Sequence, residues 1–494
     1  MLLATPAVWL LATSLLLLIH PVTVVSAVVW LATVLWIGNL VLARGYRRRP
    51  APWGQPNRDK AGVGVSPEEQ PELWALVREA AGTAGVRVPD ELRLTAVGQV
   101  AAWPGRRTRL DVGVALLFVL DRAAIGALVA RALGVVESGW ADATGPVDRL
   151  RAVLQGVSRH QLPSGVARRL LHRLDRQRAE GLLEADDVAT RVAGRATAAR
   201  ALAWAHVVHA ATLWWFDEYV LPELLDHGRP RPLLQGLEAL LCDPARHAAL
   251  SRSVPNGLPS GDGTVPGLAH RVHGLLTGTG AETSPAPSSV QEPPAADLLQ
   301  TPSTILQLVT EASLGTSGRP RTWSQALESW AERTSRSSGV ILTTHAGRDA
   351  DLRADLGSVL GGVADGRLAG WIGDEVRGAD VDTDELAHFL LTGLLAHALV
   401  ASGAGSMSAD WSGAIDVVDH QGVRLEVPRA ARMVVDDPAL VPDLRTMLED
   451  LGVPLGHRPT AGAARPGFPL LPFGRHAGSR RLPGTGFPGL APPS

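Results

Sequence analysis

Residues 1–43 carry no Asp, Glu, Lys or Arg, and their apolar runs break only at His20-Pro21. No other stretch restricts the architecture as strongly, because roughly 20 apolar residues suffice to cross a hydrocarbon core. Leu2 to Ile19 and Val22 to Ala43 each approach that length, and His20-Pro21 supplies a tight turn between them. The pattern predicts a transmembrane helical hairpin. A cleaved signal peptide would have a basic start and one short apolar region, whereas this start is uncharged and a second apolar span follows at once. Arg44, Arg47, Arg48 and Arg49 come next; a basic cluster flanking a span marks the cytoplasmic side, and it reads as a stop-transfer flank rather than a specific lipid site. Two crossings then place both chain ends and the soluble domains in the cytoplasm. The expected setting is a multi-pass protein of the cell membrane, with the lipid bilayer as its first partner.

The remaining chain is large enough for two soluble domains. With 47 basic and 49 acidic side chains the formal net charge is -2, so no global field argues for nucleic acid as a partner. The one cysteine, Cys242, excludes an intrachain disulfide and every Cys-rich metal or redox motif.

A basic juxtamembrane linker, 44–70, leads into Pro71 to Ala80, whose apolar spacing is helical. Strands are expected at Glu91 to Val97 and Arg109 to Val112, with the turn-rich Pro104-Gly105-Arg106-Arg107 between them making a small hairpin. Asp121 is placed to cap a helix running to about Ser138. Further helices are expected from Ser164 to about Val192 and from Ala196 to about Leu225. Residues 277–300, rich in Gly, Ser, Thr and Pro, read as a disordered linker. Beyond them, 301–455 reads as a separate α+β domain, with helical patterns at Ser324 to Arg333 and Asp384 to Val400 and a hairpin at Ala414 to Val427 turning at His420-Gln421-Gly422. Residues 456–494, dense in Pro, Gly and Arg, read as a disordered tail. The expected fold class is α+β and mainly helical.

Four fragments in the first soluble block, 71–276, recur in a recognisable order. Leu110 to Leu117 (LDVGVALL) and Leu120-Asp121-Arg122 precede Gly126 to Val135 (GALVARALGV). Leu182-Leu183-Glu184-Ala185-Asp186 follows, continuing through Val188 to Gly194 (VATRVAG). Last comes Thr264 to Val272 (TVPGLAHRV). Together with the N-terminal hairpin they resemble the membrane-anchored zinc metallopeptidases of the HtpX and CAAX-prenyl-protease type, the gluzincins. The resemblance covers roughly Glu72 to Leu276 and does not reach Thr301 onward. It implies a gluzincin-like helical domain with a small β-hairpin.

It also implies a site, and there the chain departs from the family. In H-E-x-x-H two histidines on one helical face bind zinc, and the glutamate between them activates the metal-bound water. The corresponding positions here are Arg131, Ala132 and Val135, none of which supplies the needed ligand or base. The third family ligand, a Glu on a later helix, is replaced by Leu182, and the His of the T-H-P segment by Val265. Asp186, the residue that in the family supports the first histidine, is retained, as is Arg271. An arginine at the histidine position facing that aspartate predicts an Arg131–Asp186 ion pair standing in for imidazole and metal.

The resemblance therefore implies a pseudopeptidase: no catalytic residue, no metal, no cofactor, and a former substrate cleft that can still hold an extended peptide. Two other readings stay open. One is an active zinc metalloendopeptidase with displaced ligands such as His206 and His209, spaced i and i+3 like His270 with His273 and Glu385 with His388. The other is a structural membrane adaptor acting through residues 301–455. Trp214-Trp215-Phe216 reads as packing rather than a ligand cage, and no nucleophile-elbow, P-loop or dinucleotide motif is present.

Overall fold

The computed structural model describes residues 62–104, 106–137, 164–226, 228–257, 267–277, 293–314, 318–349, 352–375 and 382–460. The expected membrane hairpin, the Arg44–Arg49 cluster and Val265 lie outside them.

The first half is a small sheet carried on helices. Strand β1 (Val63–Val65) enters helix α1 (Pro71–Ala84), followed by β2 (Glu91–Thr95), β3 (Val100–Trp103) and β4 (Arg109–Gly113). Pro71 supplies the preset first helical residue of α1, and Gly85 ends it in the left-handed conformation at φ 69°. The sheet order is β1-β2-β4-β3, with β2 parallel to β4 and both outer pairs antiparallel. The expected β2–β4 hairpin is thus corrected. The residues between those strands contribute β3, which folds back on the far side of β4, and a connection of that length is released from tight-turn geometry. Leu92, Leu94, Leu110 and Val112 alternate onto the buried face.

Helix α2 (Arg122–Glu137) starts where Asp121 Oδ1 accepts the Ala124 N–H at 2.8 Å. It is apolar nearly all round, because the sheet, α1, α3 (Ser164–Ala193) and α4 (Arg195–Trp215) enclose it. At Gly134 an added Cβ would stand 3.1 Å from Val188, so the glycine permits the close α2–α3 crossing. The helix expected to Leu225 loosens into a π-turn, Phe216–Val220, before resuming at Leu221–Leu225. Then follow β5 (Gly228–Pro230), α5 (Leu233–Cys242), α6 (Pro244–Gly257) and α7 (Leu268–Thr277).

The second half holds α8 (Pro302–Leu314), β6 (Arg319–Arg321), α9 (Trp323–Ala346), α10 (Leu356–Ala364), α11 (Leu368–Glu375) and α12 (Thr383–Ala401). The hairpin region is a three-stranded sheet of β7 (Ser406–Ala409), β8 (Ile415–Val418) and β9 (Arg424–Leu425), followed by α13 (Val427–Asp436) and α14 (Val441–Asp450). Helix α9 begins at a reciprocal Thr322–Gln325 capping box and runs past its expected end at Arg333 to Ala346. Ser335, Ser338, Gly339 and Thr343 are poor helix formers, yet they are buried where α9 crosses α12, and tertiary packing overrides their propensity.

The two halves are not separate bodies. One continuous apolar core includes residues from Val65 to Val453, and β5 pairs in parallel with β6 across the expected boundary. The end of the 277–300 stretch is ordered: Ala295 N–H donates to Leu120 O at 2.8 Å, Leu298 and Leu299 are buried, and Gln70 exchanges two hydrogen bonds with the Gln300 backbone. The fold is α+β and mostly helical. Among the described residues one helix, α12, is long and apolar enough to cross a membrane. Most of it is buried in the core, which accounts for its composition.

The first residues of the expected tail also pack. Leu356 N–H donates to His457 O, Gly357 N–H to Leu455 O, and Pro459 is buried against α9. His397 Nδ1 and His457 Nε2 share a hydrogen bond at 3.0 Å. Burial, reinforced by His457 and Arg336, depresses the His397 pKa from its ordinary 6.5 to about 4. The folded protein therefore refuses a proton that the unfolded chain accepts below 6.5, so stability falls as pH drops from there toward 4. Thermal melts at about pH 7 and about pH 5 should show a larger loss of melting temperature for the native protein than for His397→Gln. Equal losses would show that this pair carries no acid sensitivity.

Candidate functional site

Helices α2, α3 and α7 meet at a single carboxylate. Asp186, on α3, is 2% exposed. Arg131, on α2, donates through Nε to Asp186 Oδ1 at 2.8 Å, the pair expected from the motif register. Arg271, on α7, grips the same carboxylate with both tines of its fork, Nε to Oδ2 at 2.6 Å and Nη2 to Oδ1 at 2.6 Å. The sequence marks Arg271 as retained but leaves its partner unnamed. Three N–H donors on one buried carboxylate form a fully satisfied polar unit in an apolar setting.

The unit carries one more positive charge than negative. Burial first, and then the Arg271 charge, disfavour the Arg131 cation, and Asp186 offsets them. The Arg271 side chain is 8% exposed and that of Arg131 is 21% exposed, so solvent reaches the cluster from the Arg131 side. Of the other motif positions, Ala132 is buried and Val135 and Leu182 are half-buried.

A zinc ion does not fit this donor set. The Arg131 guanidinium carries only donors and already engages Asp186, the Val135 and Leu182 side chains offer no lone pair, and Ala132 offers no base for a bound water. Among the described residues no three His, Cys, Asp or Glu side chains are grouped to hold a metal elsewhere. His209 Nδ1 on α4 is buried with no hydrogen-bond partner, and burial together with His206 holds that imidazole below its ordinary range. His270 and His273 are exposed on α7, and His388 Nε2 contacts Pro428 O at 2.8 Å. Among the described residues, neither the i, i+3 pairs nor the positions around Arg131 assemble a third ligand.

Beside α2, strand β3 occupies one edge of its sheet. Its residues are all half-exposed, and its outer backbone edge has no strand partner among the described residues.

Trp214 and Trp215 join a cluster the local sequence does not announce. Tyr219 lies edge-on to Trp214 and stacks on Trp330, while Trp411 contacts both Tyr219 and Trp323. Arg246 covers Trp214 at 5.1 Å from its ring centroid. Burial raises the Tyr219 hydroxyl pKa to about 12, which keeps it a neutral phenol near neutrality. The expected reading of these aromatics as packing matches their burial.

Compared with family models, curated proteins and solved structures, the chain matches none.

Proposed function

We propose that this chain is a membrane-anchored, metallopeptidase-like protein without zinc chemistry, a pseudopeptidase acting as a binding or regulatory module. In this reading residues 1–43 lie in the cell membrane as a hairpin and the folded part faces the cytoplasm. The observation that carries it is the Arg131–Asp186 contact at 2.8 Å. At the helix position where the family places its first histidine, a guanidinium occupies the aspartate that would support that histidine. Chemistry and charge are replaced together, which is a coherent end state for a site that no longer binds metal. The place of β3 at the sheet edge beside α2, with β4 its one strand partner among the described residues, supports the further step that an extended peptide docks there by backbone pairing, which needs no metal.

The test uses full-length protein purified from membranes in detergent. Metal analysis should find zinc far below one equivalent, unfolded casein should remain uncleaved, and partner proteins should be retained on the column. One zinc per chain together with chelator-sensitive cleavage would overturn the proposal and restore the endopeptidase reading built on His206 and His209.

A further inference from the structure

On α9 the residues Gln325, Glu328, Ser329 and Glu332 follow the i, i+3, i+4, i+7 spacing of one helix face. They floor a cleft of about 530 Å³ with β6 on one side and the start of β7 on the other. That volume falls within the roughly 300–1,000 Å³ of ordinary ligand sites. Among the described residues, β6 pairs with β5 alone and β7 with β8 alone, and no residue of β5 or β8 lines the cleft. The cleft therefore lies on the free-edge side of both strands.

The two edges differ. Strand β6 reads Arg-Pro-Arg, and Pro320 withholds a backbone donor, as protected edges do. Strand β7 reads Ser-Met-Ser-Ala, with no proline and no charge to discourage an added strand. It is held against α9 through Met407, whose sulfur lies 3.5 Å from Ser335 Oγ. Charge patterns the cleft as well. Arg321 is committed to Glu223 and Ser329, and Glu332 to Arg336, but Arg319 and Glu328 are exposed and have no charged partner among the described residues.

We propose that the cleft between β6 and β7 docks an extended segment of a partner protein, which adds as a strand to β7 and carries an acidic residue for Arg319 and a basic one for Glu328. Backbone pairing supplies affinity without sequence demands, and the two unpaired charges fix direction and register. The site is distant in sequence from the Arg131 cluster and stands whether or not the zinc-free reading holds.

The experiment titrates full-length protein in detergent with fluorescein-labelled eight-residue Val/Thr peptides bearing Glu at one end and Lys at the other, in both sequence directions, read by anisotropy. One direction should bind, and N-methylation of alternate amides should weaken it by at least about tenfold. The double variant Arg319→Glu/Glu328→Lys should weaken the same peptide by about tenfold and shift preference to the peptide with its charges exchanged. Both substitutions are exposed, so folding is not at risk. Absence of binding below about 1 mM, or binding indifferent to N-methylation or to the charge exchange, overturns the proposal.

Discussion

Asp186→Ala should lower the stability of this protein by about 3–5 kcal/mol, the range for breaking a buried ion pair by removing one partner. The substitution leaves Arg271, 8% exposed, and Arg131, 21% exposed, facing one another without their shared counter-ion. Arg131→Ala should cost less, because the Arg271 fork still satisfies both carboxylate oxygens; about 1–3 kcal/mol is expected. Replacing all three residues together, Arg131→Met, Asp186→Leu and Arg271→Met, should recover most of the loss, since apolar groups of similar volume need no counter-ion. Urea denaturation followed by tryptophan fluorescence measures the series. If Asp186→Ala unfolds at the wild-type midpoint, the cluster carries no stability and the account of the Arg131 substitution fails with it.

What the sequence discloses here is what is local. Helix α2 is legible because Asp121 caps it and the apolar run after it holds no proline; it is helical through Glu137, and the expected end at Ser138 lies outside the described residues. The sheet is not legible in the same way. Whether β2 meets β4 as a hairpin or in parallel depends on where β3 goes, and pairing across a long connection leaves no periodic trace. The stretch 277–300 has a linker's composition, yet Leu298, Leu299 and Gln300 at its end dock onto the first half. Two leucines among polar neighbours are too weak a signal to show it.

The candidate site divides along the same line. Arg131 and Asp186 are set against each other in the sequence only through the resemblance to the metallopeptidases, and the contact expected from it is present. Arg271 lies 85 residues beyond Asp186, and only the fold reveals that it shares the carboxylate. Glu223 offers a different lesson. A lone glutamate in Leu-Pro-Glu-Leu-Leu reads as a surface position, but it is fully buried, and the fact that explains it lies in Arg321 and Arg333, a hundred residues downstream.

That second buried carboxylate underlies the largest effect expected where the two halves meet. Arg321 Nη1 donates to Glu223 Oε2 at 2.7 Å, and Arg333 Nη1 to Oε1 at 2.9 Å. One oxygen is assigned to each arginine, so either single substitution leaves Glu223 with one partner, whereas Arg321→Met/Arg333→Met strands a fully buried charge. The double variant should lose about 3–5 kcal/mol, and more than the sum of its singles, because the first loss is cushioned by the remaining arginine. Glu223→Ala should be milder. It removes the buried charge itself, and the two arginines, 34% and 24% exposed, can turn to solvent. Adding Glu223→Leu to the double variant should therefore restore most of its stability. The location of the trio adds a second readout. Glu223 belongs to the first half, Arg321 to β6 and Arg333 to α9, so the trio is one of the ties across the 277–300 boundary, alongside β5–β6 pairing and the aromatic cluster. With it broken, calorimetric unfolding should lose cooperativity and separate toward two transitions. A double variant that melts in one transition at the wild-type temperature would show that the trio does not couple the halves and that the shared core and the other contacts across the boundary suffice to hold them together.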